Sequence, residues 1–223
     1  MDIGFKILNQ LILLGLVFIS ASAVVTIHEF AHAFVSWKLG DKLPKFNKRL
    51  TLNPSSHIDI VGIFFMMTTG FGWGKSVETS PRNYKDKQKG TILAGLAGSL
   101  VSLALAILVL IPISVLKQQS LANELKLSIP AATYLGAFLS YIARFSFNLA
   151  FISLLPINPF DGFMIWGKII KPKIQFVILQ YQSMIFTMLL LIILIIPDFL
   201  QALISPVTGI FEWSIGSIVR LIL

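Results

Sequence analysis

The stretch ILNQLILLGLVFISASAVVTIHEFAH, Ile7–His32, decides the fold. Its first part, Ile7–Ile27, contains no Asp, Glu, Lys or Arg, and about 20 apolar residues are enough for a helix to cross a bilayer. The whole chain has the same character, since 56% of its 223 residues are hydrophobic and 13% are charged, whereas about a quarter are charged in soluble proteins. Its mean hydropathy is +0.83. We therefore expect one membrane-embedded domain over residues 1–223.

Composition also restricts the chemistry. The chain has no cysteine, which excludes disulfides, thiolate metal sites and thiol nucleophiles, so any metal ligands must be His, Asp or Glu. The net charge is +8, but the basic residues border apolar segments, where they act as topology signals and headgroup contacts. We therefore expect the bilayer as a partner and no nucleic acid.

Further spans follow the first one. Thr91–Leu116 and Ile174–Pro197 also lack charged residues, and a fourth candidate, Pro130–Leu155, carries Arg144 near its middle. The tail, Phe199–Leu223, predicts either a kinked last span or an interfacial helix, because it contains a proline and two charged residues. The predicted fold is an all-α polytopic membrane protein with about four to five transmembrane helices.

Two segments have alternative interpretations. Ser20–Ala23 resembles the small-residue cleavage site of a secretory signal, but the apolar helical pattern continues beyond it to Trp37, which favours one uninterrupted span. Ile58–Gly74 is apolar but short, and it contains Asp59 and four glycines. We expect it to form a membrane-associated loop or β-hairpin, which is tolerable at that depth only beside protein or a wet cavity.

The basic residues predict the orientation. Ten of the 18 Lys and Arg residues lie in Lys38–Lys89, whereas Lys117–Ser128 has two. The positive-inside rule then makes the first loop cytosolic. The segment Pro156–Lys173 falls on the same side, so a polar site built from these two regions opens toward the cytosol.

Two of the three histidines lie in His28-Glu29-Phe30-Ala31-His32. Residues four apart on a helix project from one face, so both imidazoles can bind one zinc ion. Glu29 lies about 100° round the helix from His28 and suits a general base for water activated by the metal. Ionisable residues inside a span are costly and usually mark a functional site.

A catalytic zinc usually has three protein ligands. The candidates for the third are His57, Asp59, Glu78, Asp86 and Asp161. Asp161 follows a fourth span in Leu155–Gly162, where two prolines disfavour helix, so its carboxylate can point inward. The alternative is an N-capping Asp in a cytosolic turn. For His57, a structural hydrogen bond is favoured over a metal contact.

The chain resembles the site-2 protease family of intramembrane zinc metalloproteases (peptidase family M50), in the short form without a PDZ domain. Four blocks carry the resemblance: HExxH at His28–His32, RLTLNPxxHID at Arg49–Asp59, FGWxKPVxxxPRN at Phe71–Asn83, and LxPxxPLDG at Leu155–Gly162. The resemblance implies one Zn²⁺ per chain with Asp161 as third ligand, Glu29 as catalytic residue, and regulated intramembrane proteolysis. The substrate would be a transmembrane protein, cut in or near its membrane segment. We expect the protein to lie in a bacterial cell membrane.

Some positions depart from the family pattern. The segment Ala97–Ser102 lacks the Pro and Asn of AGPxxN, and Ser153 replaces an Asn associated with the reacting carbonyl or substrate. Ser153, Asn148 and Asn158 are therefore the candidates for oxyanion or substrate contacts. Gly72 and Gly74 are candidates for a backbone edge that binds an unwound substrate by strand addition, although a hairpin that serves only packing is the alternative.

These departures leave room for another function. A catalytically inactive relative could act as a scaffold that binds membrane proteins. An ion transporter is a further alternative, but it predicts more than the one buried polar cluster that the sequence indicates.

Overall fold

The structure is a computed structural model that describes residues 3–117, 129–167, 169–196 and 198–222. Residues 118–128, most of the weakly basic loop, and the expected span ends Pro197 and Leu223 lie outside these ranges. Within them the chain forms eight α-helices: α1 Ile3–Lys38, α2 Leu43–Phe46, α3 Ile60–Thr69, α4 Lys87–Lys117, α5 Ile129–Ile152, α6 Asp161–Trp166, α7 Pro172–Ile195 and α8 Phe199–Ile222. Two 3-10 turns, Pro54–Ser56 and Pro81–Asn83, join them.

Five helices are long and apolar enough to cross a membrane: α1, α4, α5, α7 and α8. The predicted all-α polytopic fold is confirmed. Helix α1 runs without a break through Ser20–Ala23, where Ser20 and Ala21 are fully buried. Helix α8 is continuous across Pro206, and its length and composition suit a last span.

Helices α1, α4 and α5 form the core and pack against one another along their lengths. Small residues, among them Ala21 on α1, Ala97 on α4 and Ala150 on α5, are buried between them. Small side chains let helix backbones approach closely in a bilayer. Helix α7, in contrast, exposes most of its side chains. The core therefore brings the polar part of α1 against α4.

The segment Ile58–Gly74 differs from the expected loop or β-hairpin, because most of it forms helix α3. The Asp59 side chain accepts a hydrogen bond from the Gly62 N–H at 2.8 Å and caps the helix start. Gly70 ends the helix in the left-handed region, at φ +86°. In the part of the chain that the structure describes, β pairing is limited to one antiparallel bridge between Ile58 and Gly74, so the hairpin is not confirmed.

Candidate metal centre

The two histidines of α1 converge as their spacing predicts. His28 and His32 are 3% and 7% exposed, and their Nε2 atoms lie 3.2 Å apart. Both rings face α4, one helical turn apart. Their burial inside a bundle of spanning helices means that each ring nitrogen needs a partner.

Asp161 reaches the histidines from the start of α6. Its Oδ2 atom lies 3.1 Å from Nε2 of His28 and 3.1 Å from Nε2 of His32. The chain can return here because Gly162 has no side chain: a Cβ at this position would lie 2.1 Å from the Leu154 carbonyl oxygen. The Gly162 N–H also donates to the Ser153 carbonyl at 2.7 Å.

Helix α4 holds the outer nitrogens of both rings. Nδ1 of His28 lies 2.9 Å from the Ser102 hydroxyl, and Nδ1 of His32 lies 2.7 Å from the Ala94 carbonyl oxygen. Since a carbonyl oxygen only accepts, the His32 Nδ1 carries the proton and its Nε2 lone pair points to the centre. Second partners of this kind orient metal-binding imidazoles.

Gly98 of α4 gives the centre its room. A Cβ at this position would lie 2.2 Å from Nε2 of His32 and 2.6 Å from Nε2 of His28. Gly95 of the same helix serves close helix packing, since its Cβ would meet the Ile165 side chain at 2.9 Å, but Gly98 keeps open the space in front of the imidazoles.

The three inward atoms fit one metal ion. Ligands about 2.0–2.2 Å from a tetrahedral zinc are about 3.3 to 3.6 Å from one another, and the nitrogen and oxygen atoms of His28, His32 and Asp161 are separated by 3.1 to 3.2 Å, close to the lower end of this range. Among the described residues, they are the one group of His, Asp and Glu side chains placed to share an ion. Two imidazoles and a carboxylate form a donor set that suits zinc.

Glu29 lies beside this cluster. Its side chain is buried, and it borders the same cleft as His32 and Asp161. Gly74 allows the extended segment after α3 to approach, because a Cβ there would lie 3.0 Å from Oε1 of Glu29. The Val77 backbone N–H faces the same carboxylate. The Glu29 carboxylate is therefore next to the candidate metal ligands and next to exposed backbone.

The cleft has a volume of about 120 Å³. It is lined by Ser76, Val77 and Thr79 of the extended segment after α3, by residues 158–161 together with Phe163 and Met164, and by Glu29, His32 and two small residues of α4. A chain bound in the cleft would therefore meet the candidate metal ligands and Glu29 together.

The candidate oxyanion or substrate contacts lie in three different places. Asn158 lines the cleft, and its Nδ2 donates to Oε1 of Gln182 on α7 at 2.9 Å. Nδ2 of Asn148 donates to the Gly70 carbonyl at 2.7 Å, so this amide holds the end of α3. Ser153 is buried, and its hydroxyl lies 2.7 Å from that of Ser99 on α4. Only Asn158 borders the cleft.

The two candidate glycines pack inside the protein. A Cβ on Gly72 would lie 2.0 Å from the Gly62 carbonyl oxygen of α3, and one on Gly74 would lie 2.6 Å from Val25 of α1. Both glycines are buried. The exposed part of the extended segment begins at Lys75, directly after the buried Gly74.

The other candidate ligands have structural partners elsewhere. His57 is fully buried and its Nε2 lies 2.7 Å from the Thr51 carbonyl oxygen. Burial lowers the pKa of His57. Asp59 caps α3, Asp86 accepts from the first N–H groups of α4, and Glu78 is exposed and accepts from Asn47.

Arg144 lies away from the metal centre. Its guanidinium is beside Gly70, where a Cβ would be 3.1 Å from Nε, so the cation lies at the carbonyl end of α3. A positive charge is favourable at a helix C-terminus. This placement suits a structural polar contact rather than catalysis.

The family model described as peptidase family M50 matches residues 16–196. The chain belongs to this family. The M50 protein is also 30% identical over 158 residues to "Putative zinc metalloprotease YwhC" of Bacillus subtilis (strain 168), across 71% of this chain and 70% of that protein. It is 28% identical over 154 residues to "Putative zinc metalloprotease Rip2" of Mycobacterium tuberculosis (strain H37Rv), across 67% of this chain and 55% of the relative. No solved structure matches the chain.

Membership fixes the broad class. The M50 protein is a multi-pass membrane protein of a metalloprotease family, and its cofactor is zinc. The sequence missed two partners of the metal ligands, Ser102 and the Ala94 carbonyl. For Ser102 the only signal was the departure of the segment Ala97–Ser102 from AGPxxN, which did not indicate that a serine at its end contacts a histidine, and the Ala94 carbonyl had no signal in the sequence.

Proposed function

We propose that the M50 protein is an endopeptidase of the site-2 type that hydrolyses a peptide bond in or near a transmembrane segment of a membrane protein, in regulated intramembrane proteolysis. One observation carries the proposal. The His28, His32 and Asp161 cluster and the Glu29 carboxylate lie together at one cleft, between spanning helices.

Nε2 of His28, Nε2 of His32 and Oδ2 of Asp161 would hold the zinc. When bound, zinc acts as a Lewis acid that polarises a carbonyl group and acidifies water. Ser102 and the Ala94 carbonyl keep the two imidazoles oriented toward the ion. Because the ligands come from α1 and from the start of α6, the site exists only when these two elements are docked on α4.

Glu29 would move the proton. Hydrolysis forms a bond between the carbonyl carbon and a water oxygen and breaks the bond between that carbon and the amide nitrogen. Glu29 takes the proton that the water loses and delivers it to the departing nitrogen, so the carboxylate is regenerated. Its position beside both the metal ligands and the cleft wall suits both transfers.

The substrate must present an extended backbone. A helix hides its carbonyl groups in hydrogen bonds, so a transmembrane substrate unwinds locally before it reaches the site. The exposed backbone of Ser76–Thr79 offers an edge to which the unwound strand can add. The proposed edge therefore follows Gly72 and Gly74 in the sequence and begins two residues after Gly74.

The active site opens toward the cytosol of a bacterial cell membrane in this proposal. The support is the concentration of basic residues in Lys38–Lys89, which the positive-inside rule assigns to the cytosolic side. Charged labels on single cysteines introduced at Lys48 and Lys173 measure the orientation. Labelling of both from the outside of intact cells would contradict it.

The test compares purified wild type with Glu29→Gln in detergent micelles, with zinc content measured on the same samples. We expect equal zinc, about one per chain, and a loss of cleavage of at least about 100-fold in the variant, the range for removal of a general base. Equal cleavage by both proteins would overturn the proposal. Cleavage by neither, despite bound zinc, would favour the scaffold.

A further inference from the structure

The segment Lys75–Ser80, here called the cleft strand, forms one wall of the cleft but belongs to no helix. We propose that Asp41 and Arg49 are positioning residues that fix the two ends of the cleft strand beside Glu29, so that its free middle aligns the backbone of the substrate. This inference rests on the proposed endopeptidase function and deepens it.

Arg49 holds the first end. Its Nη2 donates to the Lys75 carbonyl and, at 2.7 Å, to the Ser76 carbonyl. The Arg49 side chain is 7% exposed, so the guanidinium is enclosed between the polar turn that bears it and the cleft strand. The Lys75 N–H also donates to the His57 carbonyl at 2.7 Å. The start of the strand is thus bound on both its N–H and its carbonyl side.

Asp41 holds the other end. Its side chain is 0% exposed and accepts four hydrogen bonds. Oδ2 accepts from the Ser80 N–H at 2.7 Å and from the Ser36 hydroxyl at 3.1 Å, while Oδ1 accepts from Asn83 Nδ2 at 3.0 Å and from the Leu43 N–H at 3.1 Å. Hydrogen bonds to an ionised carboxylate are among the stronger ones in proteins.

The Asp41 contacts join the cleft strand to the helix that carries the base. Ser36 lies on α1, two turns after Glu29, and it contacts the same carboxylate oxygen as Ser80. One buried group therefore sets the height of the strand relative to α1. Because a misplacement of about 1 Å can cost about 100-fold in rate, this height matters for any substrate bound along the strand.

The middle of the cleft strand is free to pair. Within the described residues, Val77, Glu78 and Thr79 make no backbone–backbone hydrogen bonds, and Val77 and Thr79 line the cleft. The Val77 N–H faces the Glu29 carboxylate, so the Val77 carbonyl and the backbone groups of Glu78 and Thr79 are the ones left to pair. Extended backbone with such groups is a template for another strand. Two fixed ends and an unpaired middle are the arrangement that strand addition requires.

The test uses a fluorogenic peptide of about 20 residues, rich in Leu and Ala with a central Asn-Pro, and versions with one backbone N-methyl group at successive positions beside the scissile bond. N-methylation removes an N–H donor and so weakens pairing with an edge strand. The variants are Asp41→Asn and Arg49→Gln, and the matched controls are Asp198→Asn and Arg82→Gln, whose side chains are exposed. Zinc content is measured for every protein.

We expect at least one of the N-methyl groups on the peptide to lower the kcat/KM of wild type by about 10-fold or more. A 10-fold decrease corresponds to about 1.4 kcal/mol, which is the size of one lost hydrogen bond. Asp41→Asn and Arg49→Gln should keep their zinc, lose about 10- to 100-fold in kcat/KM on the unmodified peptide, and show a smaller N-methyl penalty than wild type. The two controls should keep both values. A merely structural defect would lower activity and leave the N-methyl penalty unchanged.

Three results would overturn the inference: wild-type cleavage with no N-methyl penalty, variants with wild-type kinetics, or variants that are slower but retain the full penalty. If Asp41→Asn and Arg49→Gln fail to fold, Ser36→Ala and the N-methyl series on wild type give the same answer. Ser36→Ala keeps the Asp41 carboxylate and removes its link to α1 together with the contact between Ser36 and the Tyr84 hydroxyl. Absence of cleavage by wild type would overturn the proposed function as well, which separates the two failures.

Discussion

The glycine in front of the imidazoles offers a direct test of the metal centre. In Gly98→Ala the new methyl carbon would lie 2.2 Å from Nε2 of His32 and 2.6 Å from Nε2 of His28. These separations are close to the length of a zinc–nitrogen bond, about 2.0–2.1 Å, so the methyl group would occupy the space that the ion needs.

The size of the effect follows from ordinary contacts. To reach 3.4 Å from the methyl carbon, Nε2 of His32 must retreat by about 1.2 Å and Nε2 of His28 by about 0.8 Å. Metal–ligand distances tolerate about 0.2 Å. We therefore expect Gly98→Ala to fold in the membrane but to lose nearly all of its zinc, and cleavage activity with it.

The assay is zinc content by atomic emission on purified protein, with folding checked by circular dichroism and monodispersity in detergent. Gly136→Ala is the control, because a Cβ at Gly136 of α5 meets nothing within 4 Å and should leave zinc at about one per chain. A folded Gly98→Ala protein with wild-type zinc and activity would refute the assignment of the centre.

Three further predictions concern the surroundings of the site. Ser102→Ala should weaken zinc affinity by about 10- to 100-fold in a chelator competition, because Nδ1 of His28 loses its partner. The control Ser146→Ala, which removes a buried hydroxyl with no partner among the described residues, should leave the affinity unchanged. Equal zinc affinities of the two variants would contradict this prediction. Four donors outweigh burial and hold the pKa of the Asp41 carboxyl below its ordinary 3.8, so its ionised form stabilises the fold above that pH. Asp41→Asn should lower the free energy of unfolding by about 2 to 3 kcal/mol at pH 7, and its difference from wild type should shrink as the pH falls below 3.8; a constant difference in denaturant unfolding would argue against it. His57→Ala should lower the melting temperature and keep the zinc, so a folded variant without zinc would return His57 to the ligand candidates.

Local geometry made much of the site predictable. The spacing of His28 and His32 puts both side chains on the same face of any helix. Ionisable groups are costly to insert into a membrane, so their presence within a span indicates a functional site. Asp161 needed more information, since the residues alone left five candidates and only the family resemblance selected it. The structure then brings Asp161 within 3.1 Å of both imidazoles.

The segment Ile58–Gly74 shows where pattern analysis failed. A short apolar run does not distinguish a buried strand from a short helix, and its glycines suggested extended backbone. The cap at Asp59 and the left-handed Gly70 are helix signals that the sequence contains, and the helix brings the Gly62 carbonyl against Gly72 in the segment that follows. Ser102 likewise depends on the rotation of α4 against α1, which no local pattern encodes.

Zinc X-ray absorption on wild type and Asp161→Ala measures most directly whether a carboxylate from the start of α6 shares an ion with two imidazoles of α1. We predict a wild-type spectrum with two imidazole nitrogens and light oxygen ligands at about 2.0–2.2 Å, and an Asp161→Ala protein that is folded but retains little zinc. An Asp161→Ala protein with full zinc and an unchanged spectrum would contradict the account.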